Sequence, residues 1–142
     1  MDKEIFKLNV TDLMVGDWVF CYHPLSSVKS RHQVTPGILG LMYRMSVGRL
    51  AEDNPTYRII EPIPLTTQIL EDLGFERRKG NRTYAKFFPD GEVLSIIENI
   101  EHRYMVSAFG IENDNRVYRT IGYVHELQHI TGMLDIPLEV KL

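Results

Sequence analysis

Three residues near the end of the chain have the types and spacing of a hydrolytic metal centre. His125, Glu126 and His129 spell H-E-x-x-H, and the pattern continues through Gly132 to Asp135. On a helix, histidines four residues apart share a face and can grip one zinc ion. The glutamate between them polarises the attacking water, and a third ligand completes the site. Asp135 stands at the offset of such a ligand, so this reading makes His125, His129 and Asp135 metal ligands and Glu126 the catalytic base.

The helix that must carry these residues argues the other way. At about 100° per residue, Tyr123, Val124, Leu127, Ile130, Thr131 and Leu134 fall on one stripe, and His125 and His129 project opposite its centre. A helix packed on a sheet by that stripe is expected to turn both histidines to water. Asp135-Ile136-Pro137 reads as chain leaving a helix rather than as a ligand loop. His125 to Gly132 also resembles the metal helix of peptide deformylases, but the Gly-Cys-Leu loop and the Gln-bearing, Gly-rich segment of those enzymes are absent from the sequence. The favoured expectation is a packed helix with no cofactor; a zinc-dependent hydrolase is the alternative.

Other chemistry is sparser. Cys21 and His23, with His32 beyond them, could supply soft ligands, yet strand alternation alone puts Cys21 and His23 on one face. His102 has no recognisable partner. Arg77, Arg78, Lys79 and Arg82 surround Gly80-Asn81, a turn signal, and read as a solvated hairpin tip. Phosphate contact there, in a nucleic-acid-binding accessory protein, is a second alternative. Trp18, Phe20, Tyr22, Tyr84, Phe87, Phe88, Tyr104, Phe109 and Tyr118 fall on predicted strands and are expected in the core rather than on a base-stacking platform.

The elements that position these groups are legible from turns and periodicity. Val15-Gly16-Asp17 is a turn, and the aromatic and β-branched run at 18–22 is a strand with Trp18, Phe20 and Tyr22 on one face. Pro36-Gly37 and Gly40 interrupt the apolar stretch 34–45, which reads as broken or bulged strands. Asn54-Pro55 turns the chain into a strand at 56–60. Thr66 is suited to cap a helix over 67–73, with Gly74 at its left-handed end and Phe75 closing against Leu70. Pro89-Asp90-Gly91 joins strands 83–88 and 92–97. Strands 103–111 and 116–121 flank Asn113-Asp114-Asn115, and a terminal helix covers 123–134, ending near Gly132.

The 142 residues suit one domain spanning 1–142, with 44% apolar and 25% charged residues. Its regions are 1–64 mostly strand, 65–75 helix, 82–121 antiparallel hairpins and 122–134 terminal helix. The class is α+β: a curled N-terminal sheet resembling an SH3-like barrel, a short central helix, and a C-terminal antiparallel sheet with a packed terminal helix. A net charge of −3 argues against general affinity for nucleic acid. A single cysteine, no apolar leader at the start and no stretch of about eighteen apolar residues lead to the expectation of a cytoplasmic protein without a membrane span.

Three segments together, Leu13-Met14-Val15-Gly16-Asp17-Trp18-Val19, Glu61-Pro62-Ile63-Pro64-Leu65-Thr66 with Ile69-Leu70 and Gly74-Phe75, and Tyr123-Val124-His125-Glu126-Leu127-Gln128, resemble a family of short proteins of gut-bacterial genomes, prophages and mobile elements. That family has no activity to transfer. Glutamine is common in it where Glu126 stands and asparagine where His129 stands, so the resemblance implies that His125, Leu127 and Gln128 are shared for capping and packing. It also implies an α+β accessory protein of a phage or mobile element. The function expected is a non-catalytic binding or assembly module with a protein partner.

Overall fold

The computed structural model describes residues 8, 10–78, 82–99, 101, 103–109 and 115–142, with the side chains of 109 and 115–119 excepted. It is a mixed α+β protein with three α-helices and two antiparallel sheets among the described residues. The chain forms two compact units, residues 1–63 and 64–142.

The first unit is built on a three-stranded sheet. Val15-Gly16 forms the expected turn: Asp17 N–H donates to the Met14 carbonyl at 3.1 Å, and the Asp17 carboxylate accepts from Met14 N–H at 2.8 Å. Gly16, at φ 97°, supplies the positive φ this turn needs. Strand β1 (Trp18–Tyr22) then pairs with β2 (Arg31–Gln33) on one side and β3 (Ile59–Pro62) on the other. The order β2-β1-β3 leaves two edges, so the sheet does not close into the expected SH3-like barrel. Strand β3 starts later than expected because Asn54 holds the turn: its side chain accepts from Thr56 N–H at 2.9 Å and its carbonyl from Tyr57 N–H at 2.9 Å.

The stretch expected as broken strands is instead helix α1 (Pro36–Ser46). Thr35 caps it, its hydroxyl accepting from Ile38 N–H at 3.2 Å. Pro36 occupies the first turn, where its missing N–H costs nothing. The Pro-Gly pair read as a turn is thus a helix start, and Ile38, Met42 and Met45 recur at helical spacing. They pack with Leu13, Val19 and Val34 in the core of this unit, together with Leu8, Val10, Leu39 and Ile60.

In the second unit, helix α2 (Thr67–Asp72) matches its sequence signals closely. The Thr66 hydroxyl accepts from Ile69 N–H at 3.2 Å. At the other end Phe75 N–H donates to the Leu70 carbonyl at 3.0 Å and Gly74 N–H to Glu71 at 2.9 Å, the two bonds of a Schellman motif. The chain then forms a meander, β4 (Glu76–Arg77), β5 (Thr83–Phe87), β6 (Val93–Glu98), β7 (Tyr104–Phe109) and β8 (Asn115–Ile121), each strand pairing with the next. Pro89-Asp90-Gly91 makes the β5–β6 turn, with Gly91 N–H bonded to Phe88 at 3.0 Å and Gly91 at φ 88°. The turn expected at 113–115 lies mostly outside the described residues.

Tyr84, Ile96 and Val106 form one buried cross-strand row. Helix α3 (Val124–Met133) follows β8 and buries Val124, Leu127 and Ile130, the centre of the predicted stripe. Leu65 N–H bonds to the Gly122 carbonyl at 2.9 Å, tying the lead-in of α2 to that of α3. No described helix is long and apolar enough to cross a membrane.

Gly74 combines φ 91° with a neighbour in the way: an added Cβ would stand 3.1 Å from the Lys86 Nζ. That ammonium donates to the Leu73 carbonyl at the end of α2 at 2.5 Å. Gly74→Ala is therefore expected to lower stability by about 1–2 kcal/mol, read by denaturant unfolding; an unchanged midpoint would mean that the helix end tolerates a side chain.

Candidate functional site

The H-E-x-x-H residues are occupied with building their own helix. Glu126 is the third residue of α3, and its Oε1 accepts from both Gly122 N–H and Tyr123 N–H at 3.1 Å. Tyr123 is the N-cap residue, and Glu126 at the third helical position reaches back to its N–H as in the return half of a capping box, while the carboxylate charge suits the positive end of the helix dipole. A carboxylate committed to two backbone donors is poorly placed to serve as a free base.

His125 corrects an expectation. It is buried at 5% exposure rather than turned to water, with the Tyr123 ring stacked on it at a centroid distance of 5.9 Å and 17° between planes. His129, half-buried, meets it edge-on at 5.6 Å and 75°. The two histidines do share a side of the helix, as their spacing requires, but the packing around them extends beyond the apolar stripe.

Asp135 is likewise structural. Leu134 ends α3, and Asp135 follows in the left-handed conformation at φ 54°. Ile136 N–H bonds to Thr131 at 2.9 Å and Asp135 N–H to Gly132 at 3.3 Å, a second Schellman closure in which aspartate takes the position glycine usually holds. The helix does not stop at Gly132. Among the described residues no group of three or more His, Cys, Asp or Glu comes together to hold a metal ion.

The remaining sequence candidates are dispersed. Cys21 is half-buried, and burial pushes its thiol up from 9.0, only partly offset by the charge of Arg58. His32 is exposed on β2 opposite Val19, and His23 accepts from Leu25 N–H at 3.1 Å in the connection after β1. Arg77, Arg78 and Arg82 are exposed at the end of the β4–β5 hairpin. Lys79 and His102 lie outside the described residues.

What the sequence misplaced is the β1 aromatic set. Trp18, Phe20 and Tyr22 share a face as expected, but it is the face away from the core: Val19 is fully buried, and the three aromatics are only half-buried. Phe87 is also exposed, at 63%, whereas Tyr84, Phe88 and Tyr104 are buried as expected. The side chains of Phe109 and Tyr118 lie outside the described residues.

Register places Arg31 of β2 and Glu61 of β3 directly across from Phe20, on the same outward face. Tyr22 donates its hydroxyl to Glu61 Oε1 at 2.6 Å, and Lys29, from the β1–β2 connection, donates to Glu61 Oε2 at 2.9 Å. The Lys29 ammonium stands over the Phe20 and Tyr22 rings, 5.9 and 5.8 Å from their centroids. Partial burial works to raise the Glu61 pKa, but the bonds from Tyr22 and Lys29 prevail and hold it below 4.5. No spacing rule links Lys29 to Glu61. The alternation of Trp18, Phe20 and Tyr22 was the available signal.

Two predictions follow from these assignments. Glu126→Ala is expected to cost about 1 kcal/mol through loss of the cap, with Glu126→Gln milder because an amide oxygen still accepts, while Asp135→Gly gains about 0.5–1 kcal/mol by relieving the left-handed aspartate. Urea unfolding of the three variants tests this, and a destabilised Asp135→Gly contradicts the cap reading. Separately, burial, then the bond to Glu61 and its charge, raise the Tyr22 pKa above 10.0. A raised phenol favours the folded state below the ordinary value and loses that contribution as pH climbs past it. NMR titration of the Tyr22 ring should show the high midpoint, and Glu61→Ala should lower it; an unmoved midpoint removes Glu61 from the cause.

Comparison with known proteins finds no matching family model, no matching curated protein and no matching solved structure.

Proposed function

We propose that this protein is a non-catalytic binding module that takes a protein partner on the outward face of its three-stranded sheet. The observation that supports the reading is the β1 aromatic set: Trp18, Phe20 and Tyr22 stand half-exposed on one face, with Phe20 and Tyr22 beside an ordered pair of Glu61 and Lys29. Rigid aromatics give up little conformational freedom on binding and dominate protein interfaces. An accessory role in a phage or mobile element is the setting that the family resemblance implies.

The zinc-hydrolase alternative needs a free Glu126 and a third ligand. Among the described residues, Glu126 carries two backbone hydrogen bonds and no three-ligand group forms. The nucleic-acid alternative needs the Arg77, Arg78 and Arg82 surface to extend, in a chain whose net charge is −3.

In-cell crosslinking of the tagged protein, followed by mass spectrometry, tests the reading. The expected result is a protein whose recovery falls about tenfold or more in Trp18→Ala/Phe20→Ala and survives nuclease, with circular dichroism showing the variant folded. Recovery that is unchanged in that variant, or that is nuclease-sensitive and lost in Arg77→Glu/Arg78→Glu, would overturn it.

A further inference from the structure

The aromatic face already holds a cation, and that cation is the chain's own. Lys29 Nζ lies within 6 Å of two ring centroids and bonds to one oxygen of a carboxylate whose other oxygen is fixed by Tyr22. Ring faces beside a carboxylate are what proteins use to recognise alkylammonium groups. Phe20, Tyr22 and Glu61 all sit on paired strands, so their geometry is set before any ligand arrives.

Lys29 is held differently. It comes from the β1–β2 connection, where Leu25 and Val28 are exposed at 89% and 64%, and its own side chain remains 55% exposed against 22% for Glu61. A lysine on a surface ion pair is displaced at little cost, because Coulomb attraction there is weak and an extended side chain regains its freedom on leaving.

We infer that Phe20, Tyr22 and Glu61 form a recognition site for an alkylammonium group, the side chain of an exposed lysine on a protein partner, and that Lys29 is a built-in competitor that fills it in the free protein, with Trp18 on the same strand face beside Phe20. The inference deepens the binding function proposed above and rests on it. Charge favours a cation over a phosphate: Glu61, its carboxyl held below 4.5, stands on β3 directly across from Phe20, beside the Phe20 and Tyr22 rings. Arg31, exposed across from Phe20 on β2, flanks the site. It favours one lysine in a neutral or acidic segment over a run of basic residues.

Trp18 is the only tryptophan of the chain, so its fluorescence reports on this face alone. Lys29→Met keeps the aliphatic stem and removes the ammonium. Titrated with n-butylammonium, this variant should show a saturable change in Trp18 emission with a Kd about tenfold below that of the wild type. The response should disappear in Lys29→Met/Glu61→Gln and be missing with n-butanol. An equal Kd in wild type and Lys29→Met overturns the competitor role, and no saturable response in Lys29→Met overturns the ammonium site. Quenching by single-stranded oligothymidylate that is stronger in the wild type than in Lys29→Met overturns it in favour of nucleic acid. If Lys29→Met ignores n-butylammonium while Trp18→Ala/Phe20→Ala still loses its crosslinked partner, the ammonium assignment fails and the binding face stands. If the partner is retained as well, both fail.

Discussion

The burial of Val19 is the constraint on which the outward chemistry of the first unit depends. Successive side chains of a strand point to opposite faces, so a valine fully buried against Val34 and Met42 sends Trp18, Phe20 and Tyr22 the other way. Helix α1 decides the parity, because its apolar face supplies Met42, Ile38 and Met45 on the Val19 side. The aromatics, the heavier apolar set in β1, end on the side where polar neighbours from β2 and β3 are in register with them. That juxtaposition yields ring faces and a carboxylate instead of a second core layer.

Helix ends explain why the most suggestive motif in the chain carries so little chemistry. A helix leaves backbone donors unmatched at its start and acceptors at its end. Around α3, Glu126 accepts from the N–H of the N-cap residue Tyr123 and from that of Gly122 just before it, and Asp135 occupies the left-handed position that closes the carboxyl end. Two of the four residues that would build a zinc site are thereby bound into the helix boundary. His125 is buried beneath the Tyr123 ring.

Local signals were legible wherever a short segment settles its own structure. Thr66 and Gly74 delimit α2, Pro89-Asp90-Gly91 turns β5 into β6, and Val15-Gly16-Asp17 precedes β1, each through hydrogen bonds spanning a few residues. The stretch 34–45 reads as broken strands yet folds as helix α1 because Pro-Gly fits both a turn and the first positions of a helix. Only the Thr35 cap and the recurrence of Ile38, Met42 and Met45 separate the two. His125 is buried against its helical phase for a related reason: phase gives the direction of a side chain but not what lies along it.

The α+β class, the turns, the capped helix α2 and the apolar stripe of α3 are legible in the residues alone, because they follow from backbone preferences and periodicity within about ten residues. Long-range packing sets which face of β1 is core, that the first sheet stays open, and that Lys29 meets Glu61, 32 positions further along the chain. Strand period specifies two faces but not which one is buried. That choice belongs to the helix and strands that pack on it, and they come from distant parts of the chain.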